Sequence, residues 1–281
     1  MKAMDIEAAR QHKQRITDVF DTIASGYDHA VLRFFSSTAD RVVSILKPSP
    51  GQKVLDIAAG TGAFATACAQ AVAPGGRVMA IDLSAAMLEK ARIKAQHQGL
   101  ENIDFFNMDA EQLEFKKDYF NHGVCCFGLF FMPDMEKSLK EWVRVVKPGG
   151  SVVFTSFSDD SFQPMAKLLV DQLKAYGVDM DDKPLASQRL SDPKVCEQLM
   201  SDVGLESVNV ELHQLGYHLH CIDDWWSVVW NSGMRGLVKQ LKASEQAQFK
   251  LEHLESVQPL FGESGLWLSV EVLISQGGVP F

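Results

Sequence analysis

The sequence predicts an α/β protein built on an open, doubly wound, mostly parallel sheet. Short apolar, β-branched runs alternate with amphipathic stretches from about residue 40 to residue 157. Strand starts near residues 54, 78 and 103 give a spacing of roughly 25 residues, the period of repeated β-α units. Runs such as GVCCFGLFF at 123–131 are apolar throughout, as expected of strands covered on both faces. Five such units precede a break in the rhythm, whereas a closed (β/α)8 barrel needs eight.

The elements follow in order. Residues 54–57 read as a buried strand, and 62–73 as the helix after it. A second strand covers 77–81, and its helix at 84–98 has Ser84 as N-cap. Residues 103–108 form a third strand and 122–127 a fourth. A helix then starts near Asp134, just after Pro133, and 151–157 is the fifth strand. From 159 to 203 the pattern turns helical, broken at Pro164, Pro184 and Pro193. Residues 206–219 alternate like a strand, 222–255 are helical and rich in tryptophan, and 267–275 read as the last strand. That makes seven strands. The late helices are expected over the carboxyl edge of the sheet, where open α/β folds bind ligands.

Composition narrows the classes of function. The chain has 281 residues, 46% hydrophobic and 22% charged, as in an ordinary globular protein. A net charge of -9, with no Lys/Arg run, argues against nucleic acid as a partner. No apolar stretch has the length of a membrane span, and the polar N-terminus lacks the apolar core of a signal peptide. The five cysteines, with Cys125 and Cys126 adjacent, suit neither a zinc site nor a disulfide framework. No metal is expected, and the reading is a reducing cytoplasm.

The strongest local signal is VLDIAAGTGAFA at 54–65, a strand that runs into a glycine turn and opens a helix. Gly60 and Gly62 let the backbone turn tightly and approach a ligand. Gly60-x-Gly62-x-x-Ala65, with Asp82 at a strand end to hold ribose hydroxyls, also satisfies the dinucleotide fingerprint. Electrostatics separates the two readings. A nicotinamide dinucleotide sets a pyrophosphate on the helix N-terminus, and Asp56 would repel it. S-adenosylmethionine carries a sulfonium and an ammonium, which Asp56 would attract. Asp109-Ala110, closing the third strand, offers a carboxylate and a backbone N–H to an adenine edge. Three acids at three successive strand ends suit a cationic nucleoside, and Met87 offers it an apolar platform.

At this point the residues resemble the class I methyltransferases, in the branch similar to ubiquinone/menaquinone C-methyltransferases. VFDTIASGYD at 19–28 resembles that family's opening segment. VLDIAAGTG at 54–62, AIDLSAAMLEKAR at 80–92 and MDAEQL at 108–113 resemble its successive motifs. The segment 127–157 resembles its fourth-to-fifth strand region. The resemblance implies a seven-stranded Rossmann-like fold with S-adenosylmethionine as cofactor and S-adenosylhomocysteine as product. It implies that Ala58, Gly60 and Gly62 flank the methionine end, with Asp56 near the ammonium. Asp82 and the adjoining Leu83 would hold the ribose, and Met87 would pack on adenine. Asp109 and Ala110 would meet the adenine edge, Phe127 the methionine moiety, and Tyr27 would sit on a helix closing over the cofactor.

Residues 1–40 are then an N-terminal helical lid and 41–157 the cofactor-binding core. Residues 158–281 supply the remaining strands, with a helical substrate cap inserted at 159–203 and 222–255. Three positions depart from the family pattern. Ala58 stands for its first glycine, Asn121 for an aspartate before the fourth strand, and Phe130-Phe131 for a polar or histidine pair. The last change makes the site drier.

Methyl transfer from a sulfonium is an in-line displacement, so the protein's task is positioning and exclusion of water. A phenol or carbon acid as acceptor would benefit from a base. His218 and His220, with His213 nearby, are the candidates, on one face if 217–220 is extended. Trp225, Trp226, Trp230 and Met234 recur near helical spacing. Such a stripe reads as core, or as the wall of a pocket for a small apolar or aromatic substrate. Three rival readings stand beside this one. An NAD-dependent oxidoreductase would need a Tyr-x-x-x-Lys or similar pair, which the sequence does not offer. A non-catalytic protein that binds S-adenosylmethionine would use the same residues. A protein or RNA methyltransferase would need an open acceptor groove.

Overall fold

The computed structural model describes residues 6–180 and 185–281; residues 1–5 of the expected lid and the break expected at Pro184 lie outside them. Two helices, α1 (Ile6–Ile23) and α2 (Phe34–Leu46), precede the first strand. Then follow β1 (Lys53–Ile57), α3 (Ala63–Val72), β2 (Arg77–Asp82), α4 (Ala85–His97), β3 (Ile103–Asn107) and β4 (Phe120–Cys126). Next come α5 (Met135–Val145), β5 (Val146–Phe157), α6 (Met165–Ala175), α7 (Pro193–Asp202), β6 (Glu206–Gln214) and β7 (Tyr217–Leu219). The chain ends through α8 (Ile222–Asn231), α9 (Arg235–Val238), α10 (Gln246–Val257), β8 (Leu266–Leu268) and β9 (Glu271–Gly278).

Seven strands form one sheet in the order β3-β2-β1-β4-β5-β9-β6. Its pairs are parallel except at β9, which runs antiparallel to both β5 and β6. Val54, Leu55, Ile57, Val124 and Phe154 are fully buried, which is why these strands read as apolar without alternation. The order reverses between β1 and β4, so the crevice at a switch point opens at their carboxyl ends. Ser84 and Asp134 cap α4 and α5, their side chains accepting from the N–H groups of Met87 and Lys137. Each such cap is worth about 1 kcal/mol. Asn121 Oδ1 accepts from the N–H of Lys53 at 3.0 Å and ties the start of β1 to β4. No helix of the described residues is long and apolar enough to cross a membrane.

Two expected strands are each split in two. The stretch 206–219 gives β6 and β7, and 267–275 falls in β8 and β9; β7 pairs with β8 as a separate ribbon. The cause is Gln214, whose Oε1 accepts from the N–H groups of Gly216 (2.9 Å) and Val270 (3.0 Å) and ends the ladder. Gly216 is required there, since an added Cβ would lie 2.5 Å from the carbonyl oxygen of Leu268.

The boundary expected at residue 40 falls inside α2. Phe34, Ala39, Val42 and Leu46 bury that helix's inner face, and it packs on α3. Of the stretch expected as cap at 159–203, α7 instead covers β6 and β9.

Candidate active site

The glycine turn between β1 and α3 is left-handed at three positions: Ala58 (φ 54°), Gly60 (φ 54°) and Gly62 (φ 79°). At Ala58 this costs roughly 1–2 kcal/mol that a glycine would avoid. The N–H of Gly60 donates to Asp82 Oδ2 at 2.8 Å, and that of Ser84 to Asp82 Oδ1 at 2.8 Å. Burial raises the Asp82 carboxyl above its usual range, and these N–H groups oppose the rise. Gly60 faces open space on one side; an added Cβ would meet only a Tyr27 ring carbon, at 3.7 Å. Gly62 has a different reason for lacking a side chain, because an added Cβ would lie 2.9 Å from Ala91 Cβ on α4.

Above this turn lies a cleft of about 100 Å³ at the carboxyl ends of β1, β2, β3 and β4. Its walls include Tyr27, Ala58, Gly60, Asp82, Leu83, Asp109, Ala110 and Phe127 of the residues expected from sequence. Helix α1 closes one side with Lys13, Thr17 and Phe20. Lys13 Nζ binds Asp109 Oδ2 at 2.6 Å and also holds the carboxylate of Glu111. Asp21 on the same helix accepts from the Ser84 hydroxyl. Asp28, just beyond α1, takes Thr61 and Lys94, each at 2.7 Å. Lys13 and Glu111 were missed in the sequence, although Lys13, Thr17 and Phe20 do recur at helical spacing.

Five expected site residues lie elsewhere. Asp56 is 1% exposed, behind the turn, where it receives the Ala65 N–H at the start of α3. Its Oδ2 has no partner, and burial pushes its carboxyl well above the usual range. Gly62 packs on α4 as described. Met87 is buried among Ile23, Ala24, Phe20 and Tyr27, so it supports the lid instead of lining the cleft. His218 and His220 do share a face, but it is the exposed face of the β7–β8 ribbon. There His218 packs edge-on against Trp267 at 5.1 Å, and the His220 N–H is held by Asp224. The split at Gln214 carries both histidines away from the cleft, so neither serves as its base.

A second cavity, of about 230 Å³, adjoins the first and shares Phe20, Tyr27, Phe127 and Phe131 with it. Phe34, Phe35, Phe130, Phe157 and Phe162 complete an aromatic wall, and Phe127 and Phe157 stack 4.3 Å apart at 12°. Ser158, Ser161, Gln163 and Gln188 bring polar groups to it. The cap contributes α6, the turn 186–190 and the segment 228–237. Of the tryptophan stripe, Met234 lines this cavity. Trp225 and Trp226 are buried in the cap, and Trp226 stacks on Trp230.

The donor set fits S-adenosylmethionine. Asp82 brings a carboxylate to the cleft at the end of β2. Asp109 and Ala110 line it at the next strand end. A pyrophosphate would instead meet Asp82 and Asp109, with Lys13 already held by two carboxylates.

Comparison with known proteins agrees. Residues 8–222 match the model of the ubiE/COQ5 methyltransferase family. The chain is 32% identical over 224 residues to the ubiquinone/menaquinone biosynthesis C-methyltransferase UbiE of Haemophilus ducreyi, covering 72% of this chain and 84% of that one. It is 35% identical over 145 residues to the aklanonic acid methyltransferase DauC of a Streptomyces species, where the match covers 52% of this chain and 66% of that one. Among solved structures it resembles phosphoethanolamine N-methyltransferase 2 of Haemonchus contortus in complex with S-adenosyl-L-methionine. There the TM-score is 0.57 at 17% identity, over 93% of this chain and 57% of that one, a likeness of fold. Match, sheet order and cleft point the same way: the chain belongs to the ubiE/COQ5 methyltransferase family, whose methyl donor is S-adenosylmethionine.

Proposed function

We propose that this chain methylates a flat, apolar aromatic small molecule, held in the phenylalanine-walled cavity beside the cofactor cleft. The observation that carries the reading is the shared wall: Phe20, Tyr27, Phe127 and Phe131 border both cavities, so a ring seated in one abuts the occupant of the other. Asp82, Asp109 and Ala110 would hold the nucleoside, with the glycine turn beside its methionine end. Bound S-adenosylmethionine supplies an electrophilic methyl group. The chain's own part is to orient the acceptor and exclude water, which the aromatic wall does. Tyr27 keeps its proton to high pH, because burial and the nearby Asp82 and Asp28 disfavour the phenolate. It is therefore suited to donate a hydrogen bond.

The names of two relatives, one acting in quinone biosynthesis and one on aklanonic acid, support an aromatic acceptor over an amine or a polymer. The net charge of -9 and the phenylalanine lining of the cavity argue against RNA. Five free thiols are consistent with a cytoplasmic setting. The test is a mass-spectrometric screen with S-adenosylmethionine against naphthoquinols, aromatic carboxylic acids, ethanolamine and an RNA oligomer. Methylation confined to the aromatic compounds is expected; turnover of ethanolamine or RNA instead would overturn the reading.

A further inference from the structure

The turn 129–131 after β4, together with Met132 and Pro133, is held from two opposite sides. From the cap, Arg189 Nη1 donates to the carbonyls of Phe130 (2.9 Å) and Met132 (2.7 Å), and its Nη2 to that of Pro133 at 3.4 Å. From the lid, His12 Nε2 donates to the intervening carbonyl, that of Phe131, at 2.8 Å. Phe20 of the lid also packs edge-on against the Phe131 ring at 5.3 Å. Four successive carbonyls are thus shared between two elements that lie far apart in sequence.

The turn borders both cavities. Phe130 and Phe131 wall the aromatic cavity, while Phe131, Met132 and Pro133 wall the cofactor cleft. Arg189 sits in the short helix Ala186–Leu190, whose residues Ala186, Ser187 and Gln188 line the aromatic cavity. That helix is itself rooted on β5, where the Ser156 hydroxyl donates to the Leu190 carbonyl at 2.6 Å. A planar fork with several fixed donors can bridge neighbouring carbonyls; an ammonium cannot reproduce that geometry.

We propose that Arg189 is a positioning residue for the cofactor cleft, acting through the 130–133 turn and His12 on the lid helix. The aromatic cavity and the cofactor cleft are then coupled: order in the cap wall fixes the Phe131 carbonyl that anchors the lid. Two ligands that favour the same arrangement of one shared element bind with positive cooperativity. The proposal rests on the cofactor reading of the cleft.

A double-mutant cycle on the full chain tests it, with S-adenosylhomocysteine affinity read by calorimetry. Arg189→Lys should weaken binding about five-fold or more, the lower range of allosteric couplings, although Arg189 does not line the cleft. On a His12→Ala background the same change should cost less than about two-fold, because the link is already cut. His12→Gln, which keeps an N–H near the position of Nε2, should restore the sensitivity to Arg189→Lys. If lysine unfolds the chain, Arg189→Gln takes its place in the cycle. An unchanged affinity in the Arg189 variant, or equal losses on both backgrounds, overturns the coupling. A wild-type chain that fails to bind S-adenosylhomocysteine sinks the cofactor reading itself, and the proposal with it.

Discussion

The N–H of Gly60 and the carboxylate of Asp82 are joined by a 2.8 Å hydrogen bond that ties the turn after β1 to the end of β2. The same carboxylate takes the N–H of Ser84 with its other oxygen. One side chain therefore fixes the glycine turn, starts α4 and faces the cleft.

Asp82→Asn leaves one acceptor oxygen where two are used, so one N–H loses its partner. Breaking a hydrogen bond to a charged group costs about 1.5–3 kcal/mol. The dissociation constant for S-adenosylhomocysteine should rise at least about ten-fold. Calorimetry on the variant checks this, and an unchanged constant would remove Asp82 from the binding site.

Asp56 sets a pH dependence of stability. Burial raises its carboxyl in the folded chain above the unfolded value, the nearby Asp82 adds to the rise, and the Ala65 N–H opposes it. The stability tied to its proton is fully present below about pH 4 and is lost as pH rises toward the folded value. Asp56→Asn keeps an oxygen for the Ala65 N–H and has no proton to lose. Its melting temperature relative to wild type should therefore climb as pH rises above about 4. A difference that stays flat with pH would contradict the assignment.

Phe157 separates the two cavities experimentally, because it walls the aromatic one and not the cofactor cleft. Phe157→Ala removes the ring stacked on Phe127 and should cost about 2–3 kcal/mol of stability, less than a fully buried phenylalanine. For whichever aromatic acceptor the screen identifies, KM should rise about ten-fold. Affinity for S-adenosylhomocysteine should stay within about two-fold, because Phe157 does not line the cleft and lies outside the 130–133 turn that links it to the lid. A loss of cofactor affinity equal to the loss for acceptor would show that the two cavities are one.

The parallel core was legible because its strands are buried on both faces and its turns repeat at a fixed spacing. Asp82 and Asp109 could be placed from strand ends alone. What the sequence hid depends on contacts between distant residues. Alternation continues past Gly216, so nothing local announces that Gln214 turns its side chain onto Val270 and breaks both late strands. That one contact carries His218 and His220 away from the cleft. Gly62 follows the same logic, since its partner Ala91 lies on the next helix. Lys13 reads as a surface residue of an amphipathic helix until the fold brings Asp109 and Glu111 beneath it.

Inside the cap, the Trp225 indole N–H donates to His253 Nε2 at 2.9 Å, which leaves Nδ1–H of the imidazole to donate to Gln172 Oε1 at 3.1 Å. The buried ring is thus satisfied only as the neutral form, and burial lowers its pKa to about 4. His122, half-buried on β4, is lowered to about 4 as well. In the unfolded chain both take up protons near pH 6.5, so between about pH 6.5 and pH 4 the unfolded state binds more protons than the folded one. The contribution of each histidine to stability should then fall with acidification by up to about 1.4 kcal/mol per pH unit. Urea unfolding of wild type and His253→Gln at pH 4.5, 5.5, 6.5 and 7.5 isolates this histidine, because the raised Asp56 and Asp82 carboxyls act with the opposite sign above about pH 4. The stability of His253→Gln relative to wild type should climb as pH falls from 6.5 to 4.5 and stay flat above pH 7. An identical slope in the variant would mean that other groups carry the acid sensitivity of the cap.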